Sequence, residues 1–197
     1  VQFHGVYQQD GSVDIMTKVG RVPFGWTGGT AVDTSKAGLG VYNPLDHKRS
    51  YSSYWYNAAH RRSWLDSPQA WSSRHNNGNQ WMAIDTTELA GQPIAGVVLQ
   101  GRRNSNQLVF NFTVDVQRGG QWVRVALADV RDYDQDRLRA GDKFGQLFAE
   151  PQRDVTAVRI NVTRWQHHIS MRAGVLYGAV AAYERRTRFQ IQMEQTF

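Results

Sequence analysis

Leu108-Val109-Phe110-Asn111-Phe112-Thr113-Val114-Asp115-Val116 decides the fold class. Its period is two. Leu108, Phe110, Phe112, Val114 and Val116 fall on one face, and Val109, Asn111, Thr113 and Asp115 on the other. Successive side chains alternate in this way on a β-strand, and the pattern predicts one face in the core and one in water. Gly119-Gly120 then predicts a hairpin turn, with Val123, Val125 and Leu127 alternating on the returning strand. Val158, Ile160 and Val162 repeat the pattern near the end, while Met82-Ala83-Ile84 and residues 94–99 are continuously apolar, as inner strands are.

Working outward, short strands recur with turns at intervals of roughly ten residues, and helical periodicity is nearly absent. The expectation is an all-β fold, a sandwich or barrel. Residues 1–43 are glycine-rich and read as an N-terminal extension with one or two strands, one of them at 13–17. Gly25-Trp26-Thr27-Gly28-Gly29 reads as loop; no Lys-Ser/Thr follows at the spacing that cradles phosphate. Residues 44–178 form the main body. Residues 179–197 are a C-terminal extension, where Phe189, Ile191 and Met193 alternate with Gln190, Gln192 and Glu194 as a final strand expected to pair with the N-terminal extension.

Composition excludes several classes. The 197 residues contain no cysteine, so disulfides and thiolate metal sites are absent. No apolar run approaches the roughly 20 residues a membrane-spanning helix needs, and no signal peptide is read at Val1. The net charge of +6 rests on 19 Arg against 4 Lys. Those arginines are scattered among acids, without a block of like charge. This reads as a solvated mixed-charge surface and not as a nucleic-acid interface.

Candidate catalytic and metal motifs read as structural. Asp132, Asp134 and Asp136 resemble the opening of a calcium loop, but Arg137 and Lys143 stand where that loop needs Gly and Glu. Asp66 and Asp85 sit at turns and suit turn stabilisation better than paired acid–base chemistry. No Gly-x-Ser-x-Gly elbow accompanies the Ser, His and Asp residues. His167-His168 on a strand would point to opposite faces and chelate one ion poorly. Asn111-Phe112-Thr113 and Asn161-Val162-Thr163 match the glycosylation pattern but lie within strands. The chain is expected to bind and not to catalyse.

Four pieces then occur in order. They are Leu65-Asp66-Ser67-Pro68-Gln69-Ala70-Trp71-Ser72-Ser73, Gln80-Trp81-Met82-Ala83-Ile84-Asp85, Ile94-Ala95-Gly96-Val97-Val98-Leu99-Gln100-Gly101-Arg102, and Arg164-Trp165 through Ile169-Ser170-Met171-Arg172 to Tyr177-Gly178. Together they resemble the discoidin domain, the coagulation factor V/VIII type C family, and are most similar to its lectin members and related carbohydrate-binding modules. The resemblance implies a jelly-roll β-sandwich of about eight strands whose loops at one end meet a galactose- or N-acetylgalactosamine-type sugar, or an anionic phospholipid surface. Carried onto this chain, those loops are 54–62, 102–107 and 165–168.

Sugar recognition needs an aromatic face for the apolar side of the ring and a few fixed polar groups for its hydroxyls. Trp55, Tyr56 and Trp165 are the candidate platforms. Asn57, His60, Arg61, Arg102, Arg103, Asn104, His167 and His168 are the candidate hydroxyl ligands. Trp55 and Trp165 read equally well as residues at the rim of the core, and Arg102 as an internal brace of its own loop. On the membrane alternative, Tyr54 and Trp55 enter the headgroup layer and the arginines hold anionic lipid. A third reading is a structural or adhesion domain of a larger surface protein. No cofactor is expected. The resemblance implies a structural calcium in some relatives near Asp66-Ser67 and Ala173-Gly174, where this chain lacks the usual Asp-Gly and Glu. An extracellular or cell-surface location, and an oligomer or multidomain parent that multiplies one weak site, complete the expectations.

Overall fold

The computed structural model describes residues 2–7, 12–18, 30–33, 39–103, 105–129 and 143–178, the first three stretches as backbone. Thirteen strands run through them: β1 (Gln2–Tyr7), β2 (Ser12–Lys18), β3 (Thr30–Asp33), β4 (Gly40–Tyr42), β5 (Arg49–Tyr51), β6 (Trp71–Ser72), β7 (Trp81–Asp85), β8 (Ile94–Gln100), β9 (Leu108–Arg118), β10 (Gln121–Asp129), β11 (Lys143–Gln152), β12 (Ala157–Gln166) and β13 (Ser170–Tyr177). They form two sheets. The larger runs β3-β2-β1-β11-β8-β13-β4, with β6 paired to β13; the smaller runs β10-β9-β12-β7-β5. Every pairing is antiparallel. This is the jelly-roll sandwich.

The core lies between the sheets. Val97, Leu99, Phe148, Met171 and Val175 of the larger sheet meet Met82, Ile84, Phe112, Val114, Val158, Ile160 and Val162 of the smaller. Trp71 is fully buried there, its indole N–H donating to the Ser53 carbonyl at 2.7 Å. A second cluster, Leu39, Leu65, Ala95, Val98, Leu147 and Leu176, covers the far face of the larger sheet. Strand β8 is therefore buried on both faces, as its unbroken apolar run predicts.

Several expectations change. The stretch 1–43 carries β1, β2, β3 and β4, not one or two strands, and β1 joins the larger sheet by pairing with β11. The main body, 44–178, carries β5 to β13 among its described residues, in keeping with a jelly roll of about eight strands. Gly25–Gly29, the Asp132–Asp136 turn and the 179–197 strand lie outside the described residues.

The polar face of β9 does not meet water: Asn111, Thr113 and Asp115 are all buried. Side chains from the neighbouring strands lie over it, since Arg124 on β10 and Arg159 and Asn161 on β12 all bond to Asp115. The returning strand β10 does not keep its alternation either. The register slips between Arg124 and Ala126, so Ala126 turns inward while Leu127 is exposed. Gly119 and Gly120 do make the hairpin turn, with φ of 53° and 80°, the left-handed pair a two-residue turn requires.

Candidate functional site

The end of the sandwich that carries the 54–62 loop is built on a network of fixed bonds. Tyr51, which ends β5, stacks on Trp71 and donates its hydroxyl to the Arg61 carbonyl at 2.5 Å. The buried Arg49 guanidinium holds the base of the same segment, donating to the carbonyls of Pro44 and Ser63 at 2.8 and 3.1 Å. Ser52 and Ser53 both donate to Gln80 Oε1, and Gln80 Nε2 donates to Asn77 Oδ1 at 2.8 Å. The Trp55 amide donates to the Ser72 carbonyl at 2.8 Å. The loop thus leaves and rejoins the core at set angles.

On this base three turns from distant parts of the chain meet. The Trp55 indole stands edge-on to the His168 ring, with centroids 5.3 Å apart, and to Tyr56 at 4.8 Å. His168 is itself fixed, its Nε2 lying 2.9 Å from the Ser73 carbonyl. Burial pushes the His60 imidazole below its usual range, and the charges of Arg102 and His168 push the same way. Those two charges belong to loops other than that of His60. Asn76 ties the last turn down, donating to the His167 carbonyl and accepting from the Ile169 amide.

The predicted residues divide by what the fold does with them. Tyr56 is exposed, and Trp55 is 38% exposed. Arg61 lies 5.4 Å over the Tyr54 ring. Asn57 accepts from the Ala59 amide and so caps the short turn that follows. Arg102 donates to Gln107 Oε1 at 2.9 Å, bracing its own loop, and Ser170 donates to the same oxygen. Trp165 is half-buried and packs on the main core opposite Val109, away from the part of an open platform. Arg103 is exposed; His167 is exposed with a φ of 55°. Asn104 lies outside the described residues.

Sequence reasoning missed a fourth segment. The turn at 73–80 borders an open cleft of about 390 Å³ lined by Tyr51, Ser52, Ser53, Tyr54, Tyr56 and Arg74. Arg74 lies 5.7 Å over the Tyr56 ring. Its only signal in the sequence was an arginine ahead of Asn76-Asn77-Gly78-Asn79, a composition shared by ordinary turns.

The positions implied for a calcium ion are already served by organic cations. The Ser67 carbonyl accepts from Arg172 Nη1 at 3.0 Å. The Asp66 carboxylate meets Lys143 Nζ at 2.6 Å and accepts from Gln100 Nε2 at 3.1 Å. A hard divalent ion needs six or more oxygens free to turn toward it, and among the described residues no three His, Asp or Glu side chains gather. These donors do not fit calcium. Asp85 also does structural work, accepting from the Thr87 amide and hydroxyl at 2.8 and 2.6 Å.

The F5/8 type C domain family model matches residues 47–175. Among solved structures, discoidin II of Dictyostelium discoideum aligns with a TM-score of 0.52 and 17% identity over 72% of this chain and 60% of that one. The chain thus spans about three fifths of discoidin II's length. A chitosan-binding module of a Paenibacillus sp. IK-5 chitosanase/glucanase aligns at TM-score 0.47 and 17% identity, over 66% of this chain and 95% of the module. A Clostridium perfringens module solved with GalNAc-β-1,3-galactose aligns at TM-score 0.49 and 10% identity, over 67% and 94%. No curated protein sequence matches the chain.

Proposed function

Because the chain belongs to the F5/8 type C domain family, we propose that it is a non-catalytic carbohydrate-binding module whose ligand meets the loop tip at Trp55. One observation carries this reading: the partly exposed Trp55 indole is held in place by His168, a residue 113 positions further on, with Tyr56 beside it. A braced aromatic beside histidine and guanidinium groups is the arrangement that packs on the apolar face of a sugar and bonds its hydroxyls. Rigidity limits the ordering that binding requires. His60, Arg61, Arg74 and Arg103 supply the polar groups, and Trp165 and Arg102 serve the scaffold. The sugar is a terminal galactose or N-acetylgalactosamine. A single open tip binds weakly, so copies of the module, through self-association or a larger extracellular parent, would raise avidity.

The test is a glycan array followed by calorimetry with the purified chain. Terminal galactosides are expected to bind, and Trp55→Ala to abolish binding without lowering the unfolding midpoint. Absence of binding to every glycan by a folded protein overturns the reading.

A second reading has an observation of its own. Tyr54, Trp55 and Tyr56 are three consecutive exposed aromatics, a set that also suits a lipid headgroup layer. Sedimentation with anionic vesicles, lost at high salt and unaffected by free sugar, would favour it over the lectin.

A further inference from the structure

The outer face of the smaller sheet holds a second cleft, of about 400 Å³, that shares no lining residue with the one at the tip. Trp81, Arg124, Arg159 and Asn161 line it, together with Asn79 and Thr113. These residues come from β7, β10, β12, β9 and the turn before β7, so the antiparallel register alone brings them together. Arg124 pairs with Asp115, and Asp115 with Arg159, in one row across three strands. Trp81 stands opposite Asn161, which stands opposite Thr113.

The row has a surplus of positive charge. Two guanidiniums flank the single carboxylate of Asp115, which is buried with its side chain 6% exposed. Burial pushes that carboxyl upward, but hydrogen bonds from Arg124, Arg159 and Asn161 outweigh it and hold the group ionised below its ordinary range. One positive charge therefore stays uncompensated. It is presented to solvent by Arg124, whose side chain is 57% exposed and which reaches Asp115 through Nε. The Arg159 guanidinium lies 4.3 Å from the Trp122 ring and 5.9 Å from that of Trp81. Contact with two rings fixes its plane. Its Nε is buried and lacks a hydrogen-bond partner among the described residues.

We propose that this sheet face is a second saccharide-binding site, distinct from the loop tip, that selects sugar chains bearing carboxylate or sulfate groups. Trp81 supplies the aromatic surface for a ring. The terminal nitrogens of Arg124 form the planar fork that matches a carboxylate or sulfate. The exposed Asn79 and the half-buried Asn161 offer polar atoms to the neighbouring hydroxyls. The site binds and does not cleave: no acid lines the cleft, and the buried Asp115 beneath it is spent on three hydrogen bonds. The cleft lies along a sheet and not at a tip, so it suits a stretch of chain more than a terminal residue.

Affinity electrophoresis and calorimetry of the whole chain with polygalacturonate, dextran sulfate and neutral dextran test the proposal. Retardation by at least one acidic polymer and not by neutral dextran is expected. Arg124→Ala and, independently, Trp81→Ala should each weaken it by about tenfold, the equivalent of one charge-assisted contact. Arg153→Ala, an equal loss of charge at an exposed turn, should not. Which polymer binds separates carboxylate from sulfate as the preferred group. Excess galactose, which addresses the tip, should leave acidic-chain binding unchanged, so the two sites stand or fall separately. Equal binding to neutral dextran, displacement by galactose, no binding to either acidic polymer, or equal loss with Arg153→Ala would each overturn it.

Discussion

Arg172 grips Gly101 twice: its Nε and Nη2 both donate to the Gly101 carbonyl, at 2.9 and 2.6 Å. The side chain is 2% exposed, and its Nη1 reaches the Ser67 carbonyl. Burial pushes the guanidinium down to about 10, Asp66 opposing, so it stays charged at neutral pH. One side chain thereby clamps the end of β8 and the 65–70 segment to β13.

Arg172→Met should therefore lower stability by about 2–6 kcal/mol, since it strands two buried carbonyls that each carry a desolvation penalty of about 1–3 kcal/mol. Arg172→Lys should recover little, because an ammonium lacks the planar fork that serves both acceptors. Urea denaturation of the three proteins measures this. Equal midpoints would show the clamp to be dispensable.

At the tip, the bracing partner should matter as well as the platform. His168→Ala removes the edge contact to Trp55 without removing the indole. Galactoside affinity should fall by about three- to tenfold, as expected when an aromatic contact of about 0.5–1.5 kcal/mol is lost. The drop should appear mainly as a less favourable binding entropy, which calorimetry resolves.

Asp115 makes stability acid-sensitive in a defined direction. Its folded-state value lies below the ordinary one, so its contribution is complete above about 3.9, the unfolded value, and is lost as pH falls through the lower folded value. Asp115→Asn should cost about 2 kcal/mol at pH 6, the scale of a lost charge-assisted hydrogen bond. The gap between the two proteins should narrow as pH falls below the ordinary carboxylate value. A gap that stays constant with pH would assign the loss to packing.

Gly96 should not accept even one methyl group. A Cβ there would lie 2.3 Å from the backbone oxygen of Gln146 on the adjacent strand, which cannot rotate away. Gly96→Ala should destabilise by at least about 1–3 kcal/mol, the usual range for overpacking. Gly78→Ala, where nothing approaches, should be close to neutral.

Much of the architecture was legible along single strands. The inner run of β8, the alternation of β12 and the Gly119-Gly120 turn each depend on local backbone sterics, which a sequence states directly. What could not be read depends on neighbours. Asp115 looks like a solvent-facing acid until Arg124 and Arg159 are set beside it by register. Leu127 looks like a core residue until a bulge at Val125 turns it outward. The tip divides similarly. Trp55, Tyr56 and His168 lie side by side, whereas Trp165 packs on the core and Arg102 braces its own loop. Arg74 was overlooked because its turn has an unremarkable composition, and Trp81, Trp122 and Arg159 because no spacing along the chain links them.

Strand β8 lies between β11 and β13, the second of which ends at Tyr177. During synthesis this most apolar of strands must wait while some eighty further residues are made before its last neighbour arrives. In that interval its naked amides and its valines are open to chaperones and to other nascent copies. Yield on expression should thus respond to translation speed and temperature more than to the equilibrium stability of the finished molecule.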